Sequence, residues 1–522
     1  MPELFDAIPH DLARAFAAYE RALADDDLVV LDGSFAAGDR TMRGDGAGLL
    51  VGHDAISAFR SARGGVAARV IERMEYRPLG EGRALLVSVS RYLSGGSGLQ
   101  TQVWERIDGR WCITAAHVTA RPAALDRSVW RVVGDPLLPP AQDGPLAGTT
   151  VAVKDLFAIA GHRIGAGNPE WLRDAPVETR TAPAVADLLR GGAALRGIAR
   201  TDEFAYSIAG DNPHYGTPAN GTVPGALPGG SSSGPASAVA TGQADIGLAT
   251  DTAGSIRVPA SYQGLWGLRT THAHVSTDGL LPLAPSFDAV GWLARDGEVL
   301  ERVAQCCLGG VSTAVPERLA VPIEVIEAAQ PDTRGAFEAF VGELAASGLV
   351  DDIPRVSIGE LDDYREPFRI VQAAEAWRHH GEWIAAHPGA LGPAVAARFE
   401  AASTVSASQE ASARAALAPL RERMTRLAGE TVLIMPTVPG PAPARTAAPV
   451  QIDATRRATL GMTTPAAVAG LPSVSAPLLT VPSPLGAAPV GVCLIGPPGG
   501  DLALVQLARR LAGLTLDRTE TP

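Results

Sequence analysis

The chain has 522 residues, 46% of them hydrophobic and 19% charged, which is globular composition with ample core for more than one domain. Its 56 acidic and 44 basic residues leave a net charge of −12, which disfavours nucleic acid or an anionic membrane surface as a partner. Four cysteines (Cys112, Cys306, Cys307 and Cys493) with no CxxC pair make neither a disulfide framework nor a zinc site, and no metal or cofactor is expected.

The opening MPELFDAIPHDLARAF is acidic and has no basic stretch followed by an apolar run, so it does not read as a signal peptide. No uninterrupted apolar stretch is long enough to span a bilayer, and a soluble, cytoplasmic chain is expected. HDLARAFAAYERALADDD carries apolar residues at helical spacing, and GHDAISAFRSARGG reads as a second helix stopped by Gly64 and Gly65. ARVIERMEYRPL, GRALLVSVSRYLS, GLQTQVWERIDG and RWCITAAHVTARP are strand-like runs, with IDGR as a hairpin signal. Helices followed by a meander of strands predict a small α+β domain over residues 1–124.

This segment resembles the AtzH-like family of the cone-shaped, nuclear-transport-factor-like (cystatin-like) fold, through AAYERALADDD, TMRGD, GHDAISAFRSAR, QTQVWER and WCITAAHV. The resemblance implies a helix-capped curved sheet around a pocket, and a homodimer is expected. The domain reads either as a structural module or as a second active site. Tyr19 on the first helix, Arg43 in TMRGD and His117 on the last strand are its candidate polar groups.

DPLLPPAQDGPLAG, with Pro136, Pro139, Pro140 and Pro145, marks residues 125–147 as a Pro-rich connector. From residue 148 to 522 the chain is Gly- and Ala-rich, with alternating strand and helix signals that predict an α/β domain. TTVAVK is a short apolar strand, ETRTAPAVADLLRGGAAL a helix stopped at Gly191 and Gly192, and AALRGIAR a strand. Residues 376–429 read as surface helices, and VLIMPTVPGPAP as a buried strand running into a proline loop.

PGGSSSGPASAVATGQADIGLATDTAGSIRVPA, residues 228–260, gathers small residues and hydroxyls in an apolar stretch. Serine hydrolysis needs an activated hydroxyl, a proton acceptor and N–H donors for the oxyanion. The run GGSSSG does not read as a GxSxG nucleophile elbow. A histidine base drawn from His214, His272 or His274, and a lysine base at Lys154 on the end of TTVAVK, both remain open on these residues. A lysine would need burial to lower its pKa from about 10.4.

AVKD, GGSSSG and LATDTAGSIRVPASYQGLWGLR together resemble the amidase signature family of Ser–Ser–Lys amidohydrolases, and the resemblance runs from about Gly144 to the C-terminus. It implies a mixed β-sheet core flanked by helices, with Ser255 as nucleophile, Ser231 as a bridging serine held by a cis peptide, and Lys154 as base. It also implies an oxyanion hole of backbone N–H groups at Thr252, Ala253, Gly254 and Ser255. Tyr206, through its backbone carbonyl, and Ser232 are its substrate-side candidates. The family usually has two glycines before the nucleophile; here the first is Ala253. Asp251 and Arg257 read as an ion pair or capping groups rather than reactants.

DEFAYSIAGDNPHYGTPAN, THAHVSTDGLLPLAPSFDAVGWLARD and LIMPTVPGPAP resemble the indole-3-acetamide hydrolase-like branch of that family. The expectation is hydrolysis of a small or aryl-bearing amide through an acyl-enzyme. The alternatives are a carbamate or carboxyurea hydrolase with a second site in the first domain, a non-catalytic scaffold, and a subunit of a tRNA-dependent amidotransferase.

Overall fold

The computed structural model describes residues 8–25, 27–45, 48–63, 69–92, 97–120, 126–309, 313–348, 350 and 352–516. The chain divides into two compact units, Met1–Leu125 and Asp126–Pro522. The expected boundary at residue 124 lies outside the described residues.

The first unit contains α1 (His10–Asp25), α2 (Leu28–Gly33), β1 (Met42–Asp45), β2 (Gly48–Val51), α3 (His53–Arg63), β3 (Arg69–Gly80), β4 (Arg83–Tyr92), β5 (Ser97–Ile107) and β6 (Arg110–Ala120). The strands form one sheet in the order β2-β1-β6-β5-β4-β3, with β1 parallel to β6 and the other pairs antiparallel. Helix α1 forms because Leu12, Phe16, Tyr19 and Ala22 recur on one face, and that face is buried. They pack with Leu31 and Ile56 from the other helices onto Leu86, Trp104 and Ile113 of the sheet. The IDGR hairpin turns at Asp108 and Gly109, whose φ values of 49° and 79° suit the tight turn that a right-twisted ribbon prefers.

The second unit holds an 11-stranded sheet. Its strands are β7 (Trp130–Leu138), β8 (Thr150–Lys154), β9 (Ala194–Ala199), β10 (Ile246–Asp251), β11 (Trp266–Arg269), β12 (Ala289–Ala294), β13 (Leu319–Pro322), β14 (Arg355–Val356), β15 (Val432–Pro436), β16 (Ser473–Ser483) and β17 (Gly486–Ile495). They are ordered β14-β13-β15-β17-β16-β11-β12-β10-β8-β9-β7. Strand β8 runs parallel to both β10 and β9, so these three strands end on the same edge. Strands β10, β12 and β15 are buried along their whole length, which is why they read as unbroken apolar runs rather than alternating ones.

The helices are α4 (Pro169–Asp174), α5 (Pro183–Arg190), α6 (Ser233–Ala240), α7 (Arg257–Tyr262), α8 (Gly297–Cys307), α9 (Ile323–Ala328), α10 (Pro331–Ala346), α11 (Leu361–Ala386), α12 (Pro393–Ser403), α13 (Ala407–Glu430), α14 (Pro449–Ala469) and α15 (Asp501–Leu516). Helix α14 begins on a proline and ends on Gly470, whose φ of 68° is the left-handed cap that glycine adopts without strain.

Two expectations are corrected. The stretch expected as a connector holds β7, which pairs antiparallel with β9 and is the edge strand of the large sheet. The strand's one proline, Pro136, is tolerated there because it falls in the register irregularity between Val133 and Leu138, and an edge strand need not donate every N–H. The helices of residues 376–429 are not merely a surface layer. Phe399 on α12 and Leu417 and Met424 on α13 are buried in the core.

Candidate active site

Strand β8 delivers Lys154 to the carboxyl edge of the sheet, where its side chain is fully buried. Its Nζ donates to Ser231 Oγ at 2.9 Å, Ser232 Oγ at 2.9 Å and Thr250 Oγ1 at 2.8 Å. An ammonium has three donors, so three hydroxyls satisfy it completely. Among the described residues no carboxylate forms an ion pair with it. Burial pushes its pKa from 10.5 down to about 7, against the opposing pull of Asp202, Asp251 and Asp288.

Ser231 follows a cis Gly230–Ser231 peptide in the turn that leads into α6. Gly230 is required here, since a Cβ would clash with the Asp202 carboxylate and the Gly210 backbone nitrogen. Asp202 in turn accepts from Ser233 Oγ at 2.8 Å and Gly210 N–H at 2.9 Å, and Thr201 Oγ1 donates to the Ser231 carbonyl at 2.9 Å. The serine turn is thus pinned from both sides. Ser231 Oγ and Ser255 Oγ are 3.0 Å apart and hydrogen bonded. Ser255 is buried apart from its face on a cavity of about 290 Å³.

Ser255 lies in the turn between β10 and α7, and Asp251 organises that turn. Its carboxylate accepts from Gly254 N–H at 2.8 Å, Ile256 N–H at 3.2 Å, Arg257 Nε at 3.0 Å and Nη2 at 2.9 Å, and Arg269 Nη1 at 3.1 Å. Burial would raise its pKa, but the two guanidiniums hold the carboxyl well below the usual range. Asp251 and Arg257 are therefore the expected ion pair, and Arg269, the last residue of GLWGLR, is a third member that the sequence reading did not single out.

The predicted oxyanion donors are placed unequally. Thr252, Ala253 and Ser255 line the cavity, and among the described residues their N–H groups meet no acceptor. The Gly254 N–H is already taken by Asp251, and Gly254 does not line the cavity. It serves the turn instead, at a φ of 127° that an L side chain rarely adopts. Ala253 is not among the residues of positive φ, so its extra methyl strains no backbone.

Other expectations shift as well. Tyr206 lines the cavity, but its carbonyl oxygen accepts from Arg398 Nη1 at 2.6 Å rather than facing open space. Ser232 is buried behind the cavity, donating to the Thr250 carbonyl at 3.2 Å while accepting from Lys154. The histidines are engaged elsewhere: His214 contacts Glu203 at 2.6 Å, His272 the Pro285 carbonyl at 2.8 Å and His274 Asp501 at 3.3 Å.

In the first unit, the structure does not bring the three candidates together. Arg43 Nη1 donates to Asp45 at 2.7 Å, and the guanidinium that reaches the buried Tyr19 hydroxyl is Arg60, at 3.3 Å. His117 is exposed and contacts Thr119, because alternation along β6 turns its neighbour Ala116 inward instead.

The Amidase family model matches residues 136–505, and the AtzH-like model matches residues 5–123. The chain is 36% identical to "Amidase 1" of Arabidopsis thaliana over 399 residues, which is 70% of this chain and 93% of that protein. It is 32% identical to "1-carboxybiuret hydrolase subunit AtzE" of Pseudomonas sp. (strain ADP) over 425 residues, 77% of this chain and 89% of that protein. A crystal structure of an amidase superposes with a TM-score of 0.64 at 30% identity, covering 72% of this chain and 85% of that one.

The expectation of a cytoplasmic chain is corrected by another relative, "Translocon at the outer membrane of chloroplasts 64" of Pisum sativum. It is 31% identical over 401 residues, 72% of this chain and 67% of that protein. An amidase region of this kind therefore does not mark a cytoplasmic protein. Among the described residues no helix is long and apolar enough to cross a membrane.

The serine and lysine motifs, the mixed sheet that carries them and the family matches agree, and the chain belongs to the amidase family, an amide-cleaving hydrolase with an AtzH-like domain ahead of its amidase domain.

Proposed function

We propose that the chain hydrolyses a small amide through an acyl-enzyme on Ser255, with Ser231 as proton relay and Lys154 as general base. The observation that carries this reading is the unbroken contact Lys154 Nζ–Ser231 Oγ–Ser255 Oγ, at 2.9 and 3.0 Å. In the neutral lysine, two N–H groups donate to Ser232 and Thr250, and the lone pair accepts the Ser231 proton. Ser231 then accepts from Ser255, whose oxygen attacks the substrate carbonyl carbon.

The carbonyl oxygen gathers negative charge beside the amides of Thr252, Ala253 and Ser255. Collapse of the tetrahedral species breaks the C–N bond, and the proton held on Lys154 returns through Ser231 to the leaving amine. Water then attacks the acyl-enzyme along the same relay, releasing the acid and regenerating Ser255. The cavity's volume and the apolar side chains Ile208, Leu283 and Leu460 on its wall suit a small or aryl-bearing amide. The name of the carboxybiuret hydrolase relative favours the carboxyurea alternative as a second reading.

A fluorophosphonate should add one phosphonyl group to Ser255, read by intact mass and peptide mapping. Ser255→Ala should lose both the adduct and turnover. Labelling that persists unchanged in Ser255→Ala would sink the assignment.

A further inference from the structure

Three helices line the cavity together with Thr252, Ala253 and Ser255, and each contributes an arginine: Arg369 from α11, Arg398 from α12 and Arg456 from α14. Among the described residues no aspartate, glutamate or lysine lines the cavity. A locally positive wall in a chain of net charge −12 is not a reflection of bulk composition.

The three guanidiniums are not equally engaged. Arg369 is exposed and bonds Glu366 at 2.8 Å. Arg398 spends one N–H on the Tyr206 carbonyl, 2.6 Å away. Arg456 makes no ion pair and no hydrogen bond among the described residues, and its Nε is buried without an acceptor. Burial and the neighbouring Arg398 push the Arg456 pKa down to about 10, against the pull of Tyr206 and of Asp453 one turn earlier. A half-buried guanidinium that keeps like-charged neighbours and lacks a partner is poised to receive an anion, and its planar fork matches the two oxygens of a carboxylate.

We infer that the substrate of this site is an amide that also carries a carboxylate, with the reacting carbonyl at Ser255 and the carboxylate held by Arg456 and Arg398. This inference rests on the hydrolytic reading of Ser255 and names the substrate class for it. Arg398 has a double part, since the bond that positions the Tyr206 carbonyl also fixes its guanidinium toward the cavity. The apolar walls between the two ends accept the linking carbons.

The test uses the full chain with Ser255→Ala, so that binding is read without turnover. Succinamate, glutaramate and 4-carbamoylbenzoate are each titrated calorimetrically against their own methyl esters. At least one carboxylate should bind about tenfold or more tightly than its ester, equivalent to about 1.4 kcal/mol. Adding Arg456→Met should abolish that preference. Arg456→Lys keeps the charge without the fork, so it should retain part of the preference, and it serves as the test if the methionine variant does not fold.

The inference is overturned if no member of the series binds more tightly than its ester, or if both Arg456 variants leave the preference intact. Fluorophosphonate labelling of the wild-type chain separates the two layers. Labelled Ser255 with no carboxylate preference removes this inference and keeps the hydrolytic reading. A carboxylate preference with Ser255 unlabelled removes the hydrolytic reading and keeps the anion site.

Discussion

Thr250 Oγ1 accepts a 2.8 Å hydrogen bond from Lys154 Nζ, across the carboxyl ends of two neighbouring parallel strands. A hydrogen bond to a charged donor is worth more than one to a neutral donor, so Thr250 favours the ammonium. Thr250→Val should therefore lower the Lys154 pKa further. The acid limb of kcat/KM should move down by about half to one pH unit, as a loss of about 1 kcal/mol implies. An acid limb that stays in place or moves upward would show that Thr250 does not sense the lysine charge.

On the proposed mechanism the lysine itself should set the pH dependence. With a pKa of about 7, Lys154 is protonated below that pH and cannot accept a proton. The kcat/KM profile should therefore fall about tenfold per unit below pH 7. Lys154→Ala should lower kcat by about a thousandfold or more, and Lys154→Arg should not rescue it, because guanidinium stays charged. If Lys154→Ala kept activity while a folded His214, His272 or His274 variant lost it, the lysine assignment would fail.

The same shift makes a stability prediction. The folded lysine sheds its proton near pH 7 and the unfolded one near 10.5, so the unfolded state binds more protons between these values. Stability should rise with pH across that window and carry the full burial penalty below pH 7. Urea titrations of the wild type and Lys154→Met from pH 6.5 to 10 should show the difference moving in favour of the wild type as pH increases. A pH-independent difference would mean that the lysine is not desolvated.

Gly254 and Ala253 should respond in opposite ways. A Cβ at Gly254 would meet Val258 Cγ2 at 3.0 Å and Thr463 Oγ1 at 3.1 Å, and would sit on a φ of 127°. Gly254→Ala should cost about 1–3 kcal/mol of stability and most of the activity, because the turn also carries Ser255. Ala253→Gly keeps its N–H and should change kcat/KM by only about threefold. Thermal melts and steady-state kinetics on both variants check this, and an active, stable Gly254→Ala would contradict it.

Asp251 forms ion pairs with two fully buried guanidiniums, those of Arg257 and Arg269. Asp251→Ala leaves both unpaired and should cost about 3–5 kcal/mol, the penalty of stripping one partner from a buried charge network. Chemical denaturation of the purified variant measures it, and a loss below about 1 kcal/mol would show that the pair is not structural.

Much of this was legible in the residues. IDGR announced its hairpin, TTVAVK its buried strand, and AVKD, GGSSSG and DTAGSIR the three side chains, Lys154, Ser231 and Ser255, that meet in one hydrogen-bonded cluster. Those signals survive because they are local: turn glycines, apolar runs and hydroxyls act within a few residues of themselves. Residues 130–138 read as part of a connector because a proline such as Pro136 suits a loop and an edge strand equally well, and only pairing with β9 distinguishes the two.

The residues alone are enough to read the family, the two domains and the chemical types at Lys154, Ser231 and Ser255. It takes the folded chain to show that Thr250 completes the lysine's hydroxyl shell, that Asp251 has taken the Gly254 amide, and that His117 faces solvent. It alone gathered Arg369, Arg398 and Arg456 from three helices onto one cavity. The reason is physical. Which side a strand residue faces, and which backbone N–H is already spent, depend on what packs against the chain there, and sequence separation carries no record of that contact.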